Sequence, residues 1–380
     1  MWDVVIAGGG PAGSVAAIIL ARAGARVLLV DRARFPRDKL CGDSLNPGAL
    51  ARLRRLRLSE WVETHGTPIR GMLVTGPGGV RVEGRYPDAL TGRTVRRSDL
   101  DHYLLSEAAR AGARVEEGVR VRGARVDQTG GALYATGVRV ASRGGEIALP
   151  ARVTIAADGR RSAIAFGLGL ARHPPRPRRW AVGAYFDGVQ GTSTVGEMHI
   201  RAGAYLGVAP IAGGLTNACL VTGRARLGSV AGPRTALRAA IDGDPELRAR
   251  FVASRPVGRP IVLGPLAVET DGDSVKGLLL AGDAAGFIDP MTGDGLRFAI
   301  RGAELAAASA LELLATGCLQ TPLAQRRREA FGAKWRFNRA LRRLIDAPAA
   351  VGGAAIAAAI APAALRTVIC FAGDCGESGH

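Results

Sequence analysis

Lysine is nearly absent from this 380-residue chain. Lys39, Lys276 and Lys334 are the only three, so 48 of its 51 basic side chains are arginine. The formal charge of +18 is thus an arginine excess spread along the whole sequence, and no nucleic-acid-binding motif accompanies it. We therefore expect no nucleic-acid partner; such a charge favours an anionic membrane face or acidic ligands. Cysteine is also scarce. Cys41, Cys219, Cys318, Cys370 and Cys375 are odd in number, scattered and without CxxC spacing, which excludes a disulfide framework and a zinc site. No metal site is expected. The first residues lack a basic segment followed by a long apolar stretch, so a secretory signal is not expected and the cytoplasm is the expected location. The uncharged run 347–365 is alanine-rich and broken by Pro348, Gly352, Gly353 and Pro362, which argues against a membrane span.

What is present has the period of an α/β protein large enough for two domains. An apolar strand over residues 3–7 runs into a glycine turn, a helical pattern over 12–23 and a second strand over 26–30. A hairpin is expected over 69–84, and a helix from Ser98 or Asp99 carries Leu100, Tyr103, Leu104, Ala108 and Ala111. Short strands alternate with turns over 113–156. Between 170 and 268 the pattern changes to β-like runs at 180–186, 195–200, 205–209 and 215–222, read as an inserted antiparallel sheet. A strand at 277–281 and a helix over 294–315 return to the first unit. The expected fold class is α/β: a Rossmann-like nucleotide-binding domain (1–168, with a hairpin insertion at 69–90, and 269–318), an inserted antiparallel substrate domain (169–268) and a C-terminal helical tail (319–380). The tail contains a basic helix over 323–344 with Phe331, Trp335 and Leu341, expected either to pack on the body or to touch a membrane surface.

Gly8-x-Gly10-x-x-Gly13 stands where a dinucleotide fingerprint requires it, after a strand and opening a helix at Pro11 and Ala12. Gly8 permits the tight turn, Gly10 admits a pyrophosphate against the backbone, and Gly13 allows close helix packing. Asp31, with Arg32 beside it, ends the next strand where ribose hydroxyls are bound. Two further strand ends, Asp158-Gly159 and Gly282-Asp283, each add a carboxylate and glycine, and this repetition points to FAD rather than a nicotinamide dinucleotide held in that place.

With these three motifs in order, the sequence resembles the glutathione-reductase-type flavoproteins that include geranylgeranyl reductases and p-hydroxybenzoate-hydroxylase-like monooxygenases. The resemblance implies that Asp283 holds the ribityl or pyrophosphate part of FAD and that Gly293, Asp294, Gly295 and Leu296 lie at the isoalloxazine. Arg97-x-x-Leu100-Asp101 is similar to the family element whose arginine reaches the flavin nucleotide, and Val121 matches the backbone contact to adenine. The loop Arg34-Phe35-Pro36-Arg37-Asp38-Lys39-Leu40-Cys41-Gly42-Asp43 resembles that of bacterial prenyl and menaquinone reductases, which places Lys39, Cys41 and Gly42 near the flavin. It also makes Cys41 the candidate proton donor opposite hydride delivery, with His102 and His199 as further candidates. Residues 288–295 are similar to the reductases' Pro-x-Thr-Gly-Glu-Gly turn. In the substrate domain, Tyr205-Leu206-Gly207-Val208-Ala209-Pro210 departs from the reductases' Tyr-x-Trp-x-Phe-Pro, implying a roomier pocket. The expected function is FAD-dependent reduction of C=C bonds in a lipophilic isoprenoid or quinone-like molecule. The alternatives are an FAD-dependent monooxygenase hydroxylating an aromatic or polyketide ring with NAD(P)H and oxygen, and a non-catalytic FAD-binding scaffold. Only one dinucleotide fingerprint is visible, so either NAD(P)H docks transiently as the reductant or a ferredoxin-like donor supplies the electrons.

Overall fold

The computed structural model describes residues 1–39, 43–175, 178–228, 232–271, 275–346 and 362–376. Five strands run parallel in the order Arg114–Glu117, Val27–Asp31, Trp2–Ala7, the second half of Gly145–Ala156, and Leu278–Leu280. Continuous apolar runs such as Val4, Val5 and Ile6, all fully buried, suit strands covered on both faces. One face carries the helices Pro11–Arg22, Arg97–Arg110 and Gly295–Thr316. Small residues on the last of these, Ala299, Gly302, Ala303 and Ala306, let it approach the first helix closely. The other face is covered by the short helix Ala163–Gly167 and by a meander of Val121–Thr129, Ala132–Ser142 and the first half of Gly145–Ala156. The expectation of short strands over 113–156 is thereby corrected. The last strand of the meander serves two sheets, pairing antiparallel with its hairpin partner over 145–150 and parallel with Trp2–Ala7 over 151–156.

A second sheet of seven strands has the order Arg255–Leu263, Arg179–Asp187, Leu215–Gly223, Ala204–Ile211, Gly196–Arg201, Gly71–Thr75 and Arg81–Arg85. The last two form the hairpin expected as an insertion in the first domain; instead it extends this sheet, with Gly71–Thr75 parallel to Gly196–Arg201. Alternation of buried Gly71, Leu73 and Thr75 reveals a strand but not which sheet it joins. One face of the sheet packs Leu206, Val208 and Leu220 on the helices Pro233–Asp242 and Pro245–Phe251. The opposite face presents Met198, Tyr205 and Val221 to Leu266, Phe287 and Met291.

The helix Arg97–Arg110 starts earlier than Ser98 because the Asp43 carboxylate accepts the Arg97 N–H at 3.0 Å, satisfying a first-turn amide from outside. In the tail, Leu323–Asp346 returns to the body through Phe331, which meets Phe298 edge-on at 5.1 Å, and Pro362–Gly373 sets Ile369 over Gly84 of the hairpin. Most of the uncharged run, residues 347–361, lies outside the described residues; among those described, no helix is long and apolar enough to cross a membrane.

Gly13 packs so close to the strand that an added Cβ would overlap the Gly8 carbonyl oxygen, with Ile6 Cγ2 a further 3.3 Å neighbour. Gly13→Ala is therefore expected to destabilise the fold by about 1–3 kcal/mol or more, the range for forced overpacking, read as a lowered denaturation midpoint.

Candidate functional site

The carboxyl ends of the parallel strands open on one cleft, the place where α/β sheets take their ligands. Gly8 leaves the first strand at φ 105° and the chain enters the helix at Gly10. Its first-turn amides have no intrahelical acceptor and face outward, with the positive end of the helix dipole behind them. A Cβ on Gly10 would stand in the open cleft, its nearest neighbour the Arg37 Nη2 at 3.6 Å. That cradle, wide enough for a pyrophosphate and filled by any side chain, fits a dinucleotide.

Around it the cleft wall is formed by Pro11, Ala12, Lys39, Arg97, Ala157, Gly159, Arg160, Gly282 and Asp283. Asp31 binds the turn itself, accepting the Gly9 amide at 2.7 Å and the Ala33 amide at 2.8 Å, and keeps lone pairs for a ribose. Arg32 beside it is exposed, and Val121 opens its strand close by, since the Val119 amide donates to the Asp31 carbonyl at 2.8 Å. Arg160 approaches Asp283 at 3.9 Å. Lys39, half-buried, is brought down to about 8 by burial and by Arg97 nearby.

Arg97 is held in a buried bidentate pair with Asp101 (2.8 and 3.0 Å), and Arg37 joins the same carboxylate at 3.1 Å. Arg37, which stands over Gly10, escaped the sequence reading because it was one arginine among 48.

Asp158 differs from the expected role. Its Oδ2 accepts the Ala163 amide at 2.7 Å, so the carboxylate caps a helix while its neighbours Gly159 and Arg160 supply the cleft wall; burial raises its pKa. Aspartate followed by glycine after a strand serves capping and ligand binding equally well, and spacing does not separate them.

At the far end, Gly293, Gly295 and Leu296 line the same cleft at the start of Gly295–Thr316. Asp294 points away from it into a buried charge cluster. It accepts from Asn46 Nδ2 at 3.0 Å and pairs with Lys334 at 3.2 Å, and Lys334 also reaches Asp374 at 3.1 Å. Arg297 meets Asp374 at 2.5 Å, and the Lys334 ammonium donates to the Phe371 and Ala372 carbonyls. Burial pushes Asp294 up to about 6 against the pull of Lys334. This cluster, unseen in the sequence, ties both tail helices to the helix start that faces the cofactor site.

Beyond the nucleotide half, the cleft continues to the second sheet. Register places Met198, Gly207 and Cys219 in one cross-strand row and Ala209, Asn217 and Tyr185 in the next, on the face toward the cleft. Tyr205, on this face, donates to Asp289, whose pKa burial raises. His199 and Glu197 lie on the opposite face: His199 bridges Thr75 and Glu197, each at 2.9 Å, and Arg250 grips Glu197 at 2.6 and 2.8 Å. His199 therefore anchors a helix and is not placed to relay protons, and His102 is exposed on its helix. Cys41 and Gly42 lie outside the described residues. No cluster with the composition of a metal site occurs among the described residues.

With this geometry in hand, the comparisons with known proteins are specific. A family model described as an FAD binding domain matches residues 1–213. A menaquinone reductase of Mycolicibacterium smegmatis is 31% identical over 333 residues, covering 83% of this chain and 76% of that protein. A digeranylgeranylglycerophospholipid reductase of Methanosarcina mazei is 27% identical over 344 residues, covering 88% and 80%. The structure of the flavin-dependent brominase Bmp2 superposes with a TM-score of 0.86 over 98% of this chain and 94% of its own at 22% identity, which speaks to the fold alone. The chain belongs to the FAD-binding-domain family of flavoproteins. Within it, the protein is an FAD-dependent oxidoreductase of the geranylgeranyl reductase type.

Gly10→Val is expected to fold with a near-native midpoint yet be purified without yellow flavin, because its side chain meets phosphate rather than protein. Asp283→Ala should retain flavin poorly, and absorbance of released FAD per chain measures both. Lys334→Met leaves two buried carboxylates without their shared cation, and a loss of about 3–5 kcal/mol is expected, with early proteolysis of the C-terminal helix as the readout.

Proposed function

We propose that the protein reduces carbon–carbon double bonds of a lipophilic isoprenoid or quinone-like substrate bound between the cofactor and the second sheet. The observation that carries this reading is the wall facing the cofactor site. Met72, Met198, Val221, Leu263, Leu266, Phe287 and Met291 give it apolar surface, and Gly207 and Ala209 leave room where the related reductases carry Trp and Phe. FAD, when bound, supplies the hydride. The chain's own residues hold the cofactor's phosphates at Gly10 and Arg37, enclose the reacting bond in an apolar pocket and deliver a proton. The resemblance puts Cys41 forward for that last task.

Reducing equivalents come from outside, and because a second dinucleotide fold is absent among the described residues, NAD(P)H as donor would dock transiently. Arg328, Arg336, Arg339 and Arg343 are exposed on Leu323–Asp346 and support peripheral contact with an anionic membrane face, from which a lipophilic substrate would be drawn.

Anaerobic incubation of the reduced protein with a menaquinone or a geranylgeranyl lipid is expected to raise product mass by two hydrogens per bond reduced. Strict dependence on oxygen with gain of one oxygen atom would establish the hydroxylase instead.

A further inference from the structure

The polar groups on the substrate side of the cleft are few, and two long-range contacts bring them together. Asp43 lines the cleft together with Ser44, Leu45 and Asn46, and Asn46 bonds Asp294 at the end where the resemblance puts the flavin ring. The strip from 43 to 46 therefore lies along the pocket wall, from Arg97 near the phosphate end to Asn46 at the end where the resemblance puts the flavin ring. Asp43 Oδ1 accepts the Arg97 amide at 3.0 Å and the Tyr185 hydroxyl at 3.1 Å; Oδ2 is met by that hydroxyl at 3.2 Å. Tyr185 comes from the second sheet, so the carboxyl sits at the junction of the two units. On the adjacent strand and the same face, Asn217 is buried and its Nδ2 has no hydrogen-bond partner among the described residues. An unpartnered amide donor on a pocket wall calls for an acceptor on the ligand.

We propose that Asp43 is the acid that protonates the substrate, with Tyr185 as its positioning residue and Asn217 as the anchor for a substrate oxygen. The inference rests on the reduction reading above and names Asp43, in place of Cys41, as the proton source within it. Hydride forms a C–H bond at one carbon of the double bond. The π pair takes the Asp43 proton at the other, the O–H bond breaks, and the resulting carboxylate is reprotonated from water.

Burial brings the Asp43 carboxyl up to about 6, against the Arg97 amide and charge and the Tyr185 hydroxyl, which favour the ionised form; Asp101 works in the same direction as burial. Arg96, over the Tyr185 ring at 5.4 Å, and Arg37, paired with Asp101, complete the charged surroundings. A carboxylic acid tuned near the working pH suits general acid catalysis.

The experiment compares wild type, Asp43→Asn and Tyr185→Phe, all FAD-loaded, in single-turnover reduction of a menaquinone or geranylgeranyl lipid across pH, alongside infrared spectra of the protein. Wild type should lose rate as pH rises through about 6 and show a protonated-carboxyl band fading over the same range. Asp43→Asn should lose the Asp43 share of that band, leaving what Asp294 contributes, and fall by about 10²–10⁴-fold with a flat profile. Tyr185→Phe removes a donor to the carboxylate, so its limb should move to higher pH, a shift that a merely structural contact would not produce. If wild type reduces the lipid and Asp43→Asn matches it in rate and profile, the acid assignment is overturned while the reduction stands; so it is if Asp43→Asn takes nothing away from the infrared band of wild type. If wild type reduces no double bond in any such lipid, the function reading falls and the acid with it.

Discussion

How near the first helix can come to the end of the first strand decides where everything else in the nucleotide half is placed. Only at Gly13, against the Gly8 carbonyl, does the helix close on the sheet tightly enough for its amino-terminal amides to converge on the mouth of the cleft. Once it lies there, the long helix Gly295–Thr316 must pack beside it, and its alanines and Gly302 permit the short spacing. That fixes where Gly293, Gly295 and Leu296 meet the cleft, at the end opposite Asp31. One steric contact thus sets the span between the ribose end and the ring end of the site.

Charge then holds the C-terminal tail to the nucleotide half. Asp294, Lys334, Asp374 and Arg297 come from three separate helical segments or their ends and share one buried cluster. Removing two carboxylates and two cations from water is costly in isolation, and the geometry is tolerable only because each group has several partners. The consequence is positional. The helix start nearest the cofactor ring is tied to the tail, and Tyr86 on the pocket wall lies against Gly373 of that tail. A chain with 48 arginines still relies here on one of its three lysines, because a compact ammonium fits among two carboxylates and two carbonyls where a planar guanidinium would not.

The parts of this arrangement that were legible in the sequence are those that local geometry forces into a fixed spacing. The glycines at 8, 10 and 13, the acid at 31 and the strand ends at 159 and 282 follow from the βαβ turn, and the apolar alternation of the second sheet announced its four central strands within a residue or two of their ends. What stayed hidden depends on partners far apart along the chain: Asp43 with Arg97 across 54 residues and with Tyr185 across 142, Asn46 with Asp294 across 248. Asp158 was misread for the reverse reason, since its partner at 163 is local and a capping signal looks the same as a ligand signal. The hairpin Gly71–Arg85 went to the wrong unit because alternation records which face is buried and not which sheet buries it.

The pocket owes its depth to what one strand lacks. Gly207 and Ala209 occupy successive cleft-facing positions of Ala204–Ile211 after Tyr205, Gly207 in the row of Met198 and Cys219 and Ala209 in the row of Asn217 and Tyr185. Large aromatic residues at those two positions would fill the space between Met198 and Cys219 and shorten the distance from the sheet to the cofactor end. On the proposed reading, an extended apolar molecule would lie along the sheet across both rows, from that of Met198 to that of Asn217. Met72, Met198, Val221, Leu263 and Leu266 give the wall a large apolar share, so a ligand that buries its chain against them gains roughly 25 cal/mol per Å² of apolar area removed from water. A ligand that presented a second polar group to Met198, Val221 or Leu266 would leave that group unsatisfied and lose affinity. In the reaction proposed above, such a wall suits a long hydrocarbon with one oxygen-bearing end.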